Sequence, residues 1–357
     1  MYRRFVVAVG LFATLQLLLV GSFNYFVDPV GLFANASQFA TVVQAMRAGD
    51  IVAVHENYNE RVLQKYILEN MTSDYDVVVF GSSRSMMINA NVMPVGKQLH
   101  NFSVSGAILE DDIALWNLYM DTHSHAPQYV IIGMDAWLLN KNNGEVRWRS
   151  SLAKEYERGM QRLGLIPKMG GSSVLLYREL LSMNYTMTSL KKLCRGEVRK
   201  SIFTRSEGMA DEEPNVAFVF ADGSHEYSRE YRLGDTEKLA QEYIAGKIYH
   251  LEGFEAIDDD LGTALTALIA DMERQGCQVI FYLPPYHPTV YDFLASTPRF
   301  ANVIQSEIWL QKFAKQHNVM LLGSYNPSNM SLNEEDFLDG MHMKRTSVER
   351  YLKGRFK

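Results

Sequence analysis

Cysteine is nearly missing from this chain: among 357 residues there are only Cys194 and Cys277, with no Cys-x-x-Cys pair to signal zinc. Whether the two pair with each other stays open on sequence alone. Cys277 opens the apolar run CQVIFYL, the setting of a small buried hydrophobe. Positive charge is scarce as well. Against 41 acidic residues stand 35 basic ones, a net charge of -6, which argues against a general binder of nucleic acid. There is no Walker loop and no Gly-x-Gly-x-x-Gly after a strand-like run, so no nucleotide cradle is visible. Internal repeats and low-complexity tracts are missing too. No cofactor and no metal site is expected.

Long hydrophobic runs are also rare, with one exception. Arg3 and Arg4 precede an apolar stretch from Phe5 to Phe23 broken only by Thr14, Gln16 and Ser22. As a helix it measures about 28 Å, close to the roughly 30 Å core of a bilayer. Basic residues before it and none just after favour a cytoplasmic N-terminus, placing the rest of the chain in the periplasm or outside the cell. A cleaved signal peptide is the rival, but Ala34 and Ala36 lie too far downstream for its cleavage site. Residues 1–23 are therefore expected to form a retained single-pass anchor, followed by a neck and first helix over 24–74.

The remainder, in a chain with 47% hydrophobic and 21% charged residues overall, has ample material for a core. Asn59 to Asn70 reads as an amphipathic helix. Short apolar runs recur at Val77–Phe80, Tyr129–Gly133, Cys277–Leu283 and Val319–Leu322, beside helical stripes such as Leu109, Ile113, Trp116, Met120 and Leu261, Leu265, Leu268, Met272. Buried strands alternating with helices predict a parallel sheet covered on both faces, a three-layer α/β/α domain over 75–357. The alternation fails between about 140 and 254. That stretch, rich in Tyr, Met and Arg, is expected to be a large insertion, a lid or subdomain beside the site.

Ligands of an open parallel sheet sit beyond the carboxyl ends of its strands. There the chain carries Gly81-Ser82-Ser83-Arg84-Ser85, then Asn101 to Gly106, then Gly133-Met134-Asp135, and finally Asp339-Gly340-Met341-His342. A serine hydroxyl needs a base within hydrogen-bond reach and donors for the developing oxyanion. Asp339 and His342, three apart, can present one imidazole nitrogen to the carboxylate and the other to Ser83. The backbone N–H groups of Gly106 and Ser83 are candidates for the oxyanion hole.

These four segments resemble, in order, the blocks of the SGNH (GDSL-like) hydrolase superfamily. On that resemblance Ser83 is the nucleophile, Gly106 the second-block glycine, and Asp339 and His342 the fifth-block Asp-x-x-His. The Gly-Ser-Ser sequence and the N-terminal anchor are similar to those of surface-polysaccharide acyltransferases, alginate O-acetyltransferases and the D-alanyl transfer protein of teichoic acids among them. The resemblance implies a flavodoxin-like SGNH fold and transfer of a small acyl group, acetyl foremost, onto a surface or exported glycan. It also implies a multi-span membrane acyltransferase as partner, because acyl-coenzyme A is cytosolic. A glycan deacetylase or esterase would use the same residues; a non-catalytic glycan-binding or assembly subunit would keep only the fold. One departure bears on that last alternative. Asp135 stands where the family has an oxyanion-hole asparagine, and a carboxylate does not donate.

Other candidates compete. Asp222-Gly223-Ser224-His225 repeats the Asp-x-x-His spacing, but inside the 140–254 stretch. Arg84 and His287, on the same sheet edge as Ser83, are expected to contact substrate; a structural histidine is the plainer account of His287. Lys191, Lys192, Arg195, Arg199, Lys200 and Arg205 form the densest basic cluster. It reads as a solvated helix face, or as a contact for an anionic polysaccharide or lipid headgroups. Asp258 to Asp260 suit the start of a helix rather than a metal. The Gly-Gly-Ser-Ser at 170–173 reads as turn chemistry. Around Ser83 there is no Gly-x-Ser-x-Gly, which argues against an α/β-hydrolase.

Overall fold

A computed structural model describes residues 2–29, 36–167, 177–196, 198, 201–206, 208–209 and 214–356. The chain opens with α1 (Tyr2–Val27), α2 (Ala36–Ala48), β1 (Ile51–Val54) and α3 (Glu60–Asn70). Next come β2 (Val77–Phe80), β3 (Leu99–Asn101), α4 (Leu109–Thr122) and β4 (Tyr129–Gly133). The chain then leaves the sheet for α5 (Trp148–Ser151), α6 (Ala153–Arg162), α7 (Met183–Cys194), β5 (Phe203–Ser206), β6 (Ala217–Val219), β7 (His225–Glu226), α8 (Arg229–Arg232) and α9 (Thr236–Ala245). It returns with α10 (Asp259–Arg274), β8 (Gln278–Leu283), α11 (Pro288–Ser296), α12 (Ala301–His317), β9 (Met320–Gly323) and α13 (Arg345–Leu352).

Five strands form a parallel sheet in the order β3-β2-β4-β8-β9. Their side chains alternate between two cores, as the pleat requires. Val78, Phe80, Val130, Ile132, Val279 and Phe281 pack with Ile113 and Trp116 of α4 and Leu265, Leu268 and Met272 of α10. Val77, Val79, Ile131, Ile280 and Tyr282 pack on the opposite face with Val348 and Leu352 of α13. Burial on both faces explains why these strands read as unbroken apolar runs. Asp258 caps α10, its carboxylate accepting from the N–H groups of Asp260 and Leu261.

A second sheet is not visible in the sequence. It is antiparallel, in the order β5-β1-β6-β7. Of its two inner strands, β1 comes from the stretch expected to be a neck, while β6 and both edge strands come from the segment between β4 and α10. α1 is one helix of 26 residues, long and apolar enough to cross a membrane, and its apolar window is exposed. Cys194 is exposed and Cys277 buried, and both thiols are free.

Candidate active site

The site begins where β2 stops. Gly81 has φ +147°, and a Cβ there would lie 3.0 Å from the Gly133 Cα at the end of β4. A Cβ on Gly133 would fall 2.0 Å from Ser85 Oγ. Both positions thus need glycine, and the chain can turn sharply against its neighbour strand. In that turn the Ser85 N–H donates to the Ser82 carbonyl at 2.9 Å and the Arg84 N–H to Ser82 Oγ at 3.1 Å. Ser82, Arg84 and Ser85 are buried; Ser83 is left partly open.

Opposite stands a loop closed by the Phe337–Met343 bridge and by the Leu338 N–H donating to the His342 carbonyl at 2.8 Å. Inside it, Asp339 Oδ1 accepts from the N–H groups of Met341 at 2.8 Å and His342 at 2.7 Å. Asp339 Oδ2 meets His342 Nδ1 at 2.8 Å, and His342 Nε2 lies 2.9 Å from Ser83 Oγ. With Nδ1–H held by the carboxylate, Nε2 is the nitrogen free to take the serine proton. Burial works to raise the Asp339 carboxyl, but the His342 charge and hydrogen bond, with the Tyr231 hydroxyl and the Met341 N–H, outweigh it and hold the group below the usual carboxylate range.

Two tyrosines from the segment between β4 and α10 touch this relay. The Tyr231 hydroxyl donates to Asp339 Oδ2. The Tyr227 ring meets the His342 ring edge-on with centroids 5.4 Å apart. Burial, then the Asp339 charge, raises the pKa of both phenols, so both stay protonated donors.

Gly106 takes φ +61°, and a side chain there would collide with the Tyr249 hydroxyl, Arg147 Nη2 and His250 Nε2. Neither its N–H nor that of Ser83 donates to a described residue, so both are available to an oxyanion. Helix α3 holds the loop. Glu60 accepts from the Ser105 N–H and, at 2.9 Å, from the Ser105 hydroxyl. Arg61 reaches the Ser105 carbonyl at 3.2 Å and forks onto Asp111 with two bonds of 2.7 Å. Arg147 adds a bond to the Ser105 carbonyl at 2.9 Å.

Three expected site residues sit elsewhere than at an open substrate surface. The Arg84 side chain is fully enclosed, its guanidinium donating to Asp135 Oδ1 at 3.0 Å, to the Met341 carbonyl at 3.0 Å, and to the Pro284 and Pro285 carbonyls at 2.7 Å each. It lies over the Tyr286 ring, 4.0 Å from the centroid. No face is left for substrate. Asp135 is equally enclosed: burial raises its carboxyl while Arg84 opposes that shift, and it presents an acceptor to Arg84 instead of a donor to the hole. His287 is buried and caps α11, its Nδ1 accepting from the Thr289 N–H at 3.3 Å. Burial lowers its pKa.

The rival pair is divided. Asp222 Oδ1 accepts from Ser224 and Oδ2 from the Ala90 N–H at 2.8 Å, so the carboxylate closes a turn. His225 lies on β7 and lines a cavity. That cavity, about 1370 Å³, is lined by Tyr227, Met86 and Ser105 rather than by Ser83, His342 or Asp339 themselves, and reaches Leu181, Ser182 and Tyr185; Glu56, Glu60, Arg61, Arg147, Arg149 and Arg178 charge its walls. Within the basic cluster, Lys192 pairs with Glu56 and Arg205 with Asp50. Arg199, Lys200 and residues 170–173 fall outside the described residues.

In comparisons with known proteins, no family and no curated protein matches this chain. The sequence points to Ser83, Gly106, Asp339 and His342. It does not point to Tyr227, Tyr231, Glu60, Arg61, Arg147 or Tyr249. The richness in tyrosine and arginine between 140 and 254 is the visible trace of Tyr227, Tyr231, Tyr249 and Arg147; Glu60 and Arg61 leave none.

Proposed function

We propose that this chain is a membrane-anchored serine acyltransferase of the SGNH kind, acting on a glycan outside the cytoplasm. The observation that carries the reading is the continuous relay from Ser83 Oγ through His342 to Asp339, with contacts of 2.9 and 2.8 Å. The strand order β3-β2-β4-β8-β9 supports the fold half of the reading, being the 2-1-3-4-5 order of flavodoxin-like sheets. On this view the segment from about 140 to 254 is the insertion that walls the site.

The chemistry rests on proton positions. His342 Nε2 takes the Ser83 proton as Oγ attacks the carbonyl carbon of an acyl donor, and the oxyanion is received by the N–H groups of Ser83 and Gly106. When the tetrahedral adduct collapses, the imidazolium returns that proton to the leaving group, and acyl-Ser83 remains. A glycan hydroxyl then gives its proton to Nε2, attacks the acyl carbonyl and expels Ser83, which recovers its proton from His342. Water in place of the glycan would make the enzyme a hydrolase. The cavity bordered by Tyr227 has room for a large acceptor, with Glu56, Glu60, Arg61 and Arg147 to meet its polar groups. The acyl donor is proposed to come from a multi-span membrane partner.

A second reading, a non-catalytic glycan-binding subunit, draws on Asp135, which gives the hole no amide. A fluorophosphonate probe separates the two because it reacts only with an activated serine. The full chain should label, Ser83→Ala and His342→Ala should not, and His225→Ala should label nearly as wild type. A folded wild-type chain that stays unlabelled would leave the binding reading.

A further inference from the structure

Helix α7 turns the wrong side outward for a helix in water. Its buried face is Tyr185, Ser189 and Lys192, and the Lys192 ammonium is paired with Glu56. Its outer stripe is apolar: Met183, Met187 and Leu190 are exposed by 75%, 47% and 44%, and Cys194 continues the row at the last turn. These positions have the spacing of one helical face. Leu193 widens it on one side, and exposed Lys191 and Arg195 stand at its C-terminal end.

The helix also sits in a particular place. Asn24, near the end of α1, donates to the Leu180 carbonyl at 2.8 Å and to the Thr186 hydroxyl at 2.7 Å. The Tyr185 hydroxyl donates to Asp28 at 2.6 Å, and the Leu181 side chain packs at Gly21. The helix that carries this apolar stripe is therefore fixed against the last turns of α1, whose own exposed apolar surface includes Phe5, Phe12, Leu18 and Phe26. An amphipathic helix with basic residues at its edge, fixed beside the end of a span, matches a helix lying in the headgroup region.

We infer that α7 and Leu181 form a second membrane contact, a foot resting in the bilayer surface beside the anchor. The inference rests on reading α1 as a membrane span. Leu181 and Tyr185 of this foot also line the cavity whose far wall includes Tyr227, the residue packed against His342. The foot thus sets that end of the cavity at the lipid surface, where a substrate or donor carried on a membrane lipid can enter without leaving the bilayer.

Cys194 offers a native label, since it is exposed while Cys277 is buried. A polarity-sensitive dye on Cys194 of the full chain in lipid nanodiscs should emit to the blue. It should be quenched strongly by lipids spin-labelled near the headgroup and weakly by aqueous iodide. The double variant Met187→Asp, Leu190→Asp should reverse that preference, while fluorophosphonate labelling of Ser83 is unchanged, because neither residue lines the cavity. Iodide quenching that dominates in the wild type would overturn the foot. In a Cys194→Ser background, a dye on Leu15→Cys tests the span itself: quenching by lipids labelled at the chain ends supports it. Deep quenching at residue 15 together with free iodide access at residue 194 would reject the foot alone; iodide access at both would reject the span as well.

Discussion

Arg84 joins the two halves of the relay. It comes directly after Ser83 in sequence, and its guanidinium holds the Met341 carbonyl in the loop that carries His342, with Asp135 and two proline carbonyls filling its other bonds. Removing one partner of such a buried pair leaves a charge with nothing opposite it, at about 3–5 kcal/mol. Asp135→Asn should therefore destabilise the fold and weaken serine labelling, measured by denaturant unfolding and probe kinetics. Labelling that rises at unchanged stability would instead place residue 135 in the oxyanion region. The Asp339 carboxyl gives a pH test. Its folded pKa is depressed, so its contribution to stability is complete above the unfolded value of about 3.9 and is lost as pH falls through the folded one. Tyr231→Phe removes one donor to that carboxylate, so it should shrink the depression and make acid unfolding set in at higher pH. A hydrogen bond to a charged group is worth about 1.5–3 kcal/mol. An acid transition unmoved by the substitution would show that Tyr231 does not hold Asp339.

Among the elements, α3 has the widest influence on the site, because it carries both Glu60, on Ser105, and Arg61, on Asp111 and the same loop. Glu60→Gln keeps the size of the side chain but loses the charge that binds two donors of Ser105. It should let the Gly106 N–H drift, slowing probe acylation by about 10²-fold, the effect of losing one oxyanion donor, with little change in thermal stability. Equal rates in stopped-flow acylation would show that the loop holds itself. The amphipathic pattern of α3 was legible in the sequence, as were β2, β4, β8, β9 and the relay residues, because each is encoded locally by an apolar run or by a short spacing. Its grip on Gly106 was not, since Glu60 and Ser105 meet only after folding. The same holds for β1: Ile51–Val54 pairs with β5 and β6, far along the chain. Arg84 and His287 were placed on the correct sheet edge, but position along a strand does not say whether a side chain faces solvent or is enclosed.

The whole molecule joins an apolar helix to an α/β body through contacts that include Asn24 to Leu180 and Thr186, and Asp28 to Tyr185. The bonds that link Ser83, His342 and Asp339 run between the turn after β2 and the loop before α13, away from α1. The relay should therefore be indifferent to α1, while on the proposed reading the location of the protein depends on it. The C-terminal helix α13 packs into the core of the parallel sheet through Val348 and Leu352, so the end of the chain lies on the same side of a membrane as the relay. On the proposed reading of α1 as a span, Arg3 and Arg4 before it place that body outside. A reporter enzyme active only outside the cytoplasm, fused after Lys357, is thus expected to be active in the full chain and silent when residues 1–29 are deleted. The deleted protein, purified without detergent, should still label at Ser83. An active cytoplasmic reporter on the full chain would overturn both the topology and the exported-glycan substrate. A correctly exported chain whose deletion form fails to label would show that α1 supports the site through Tyr185 and the cavity wall.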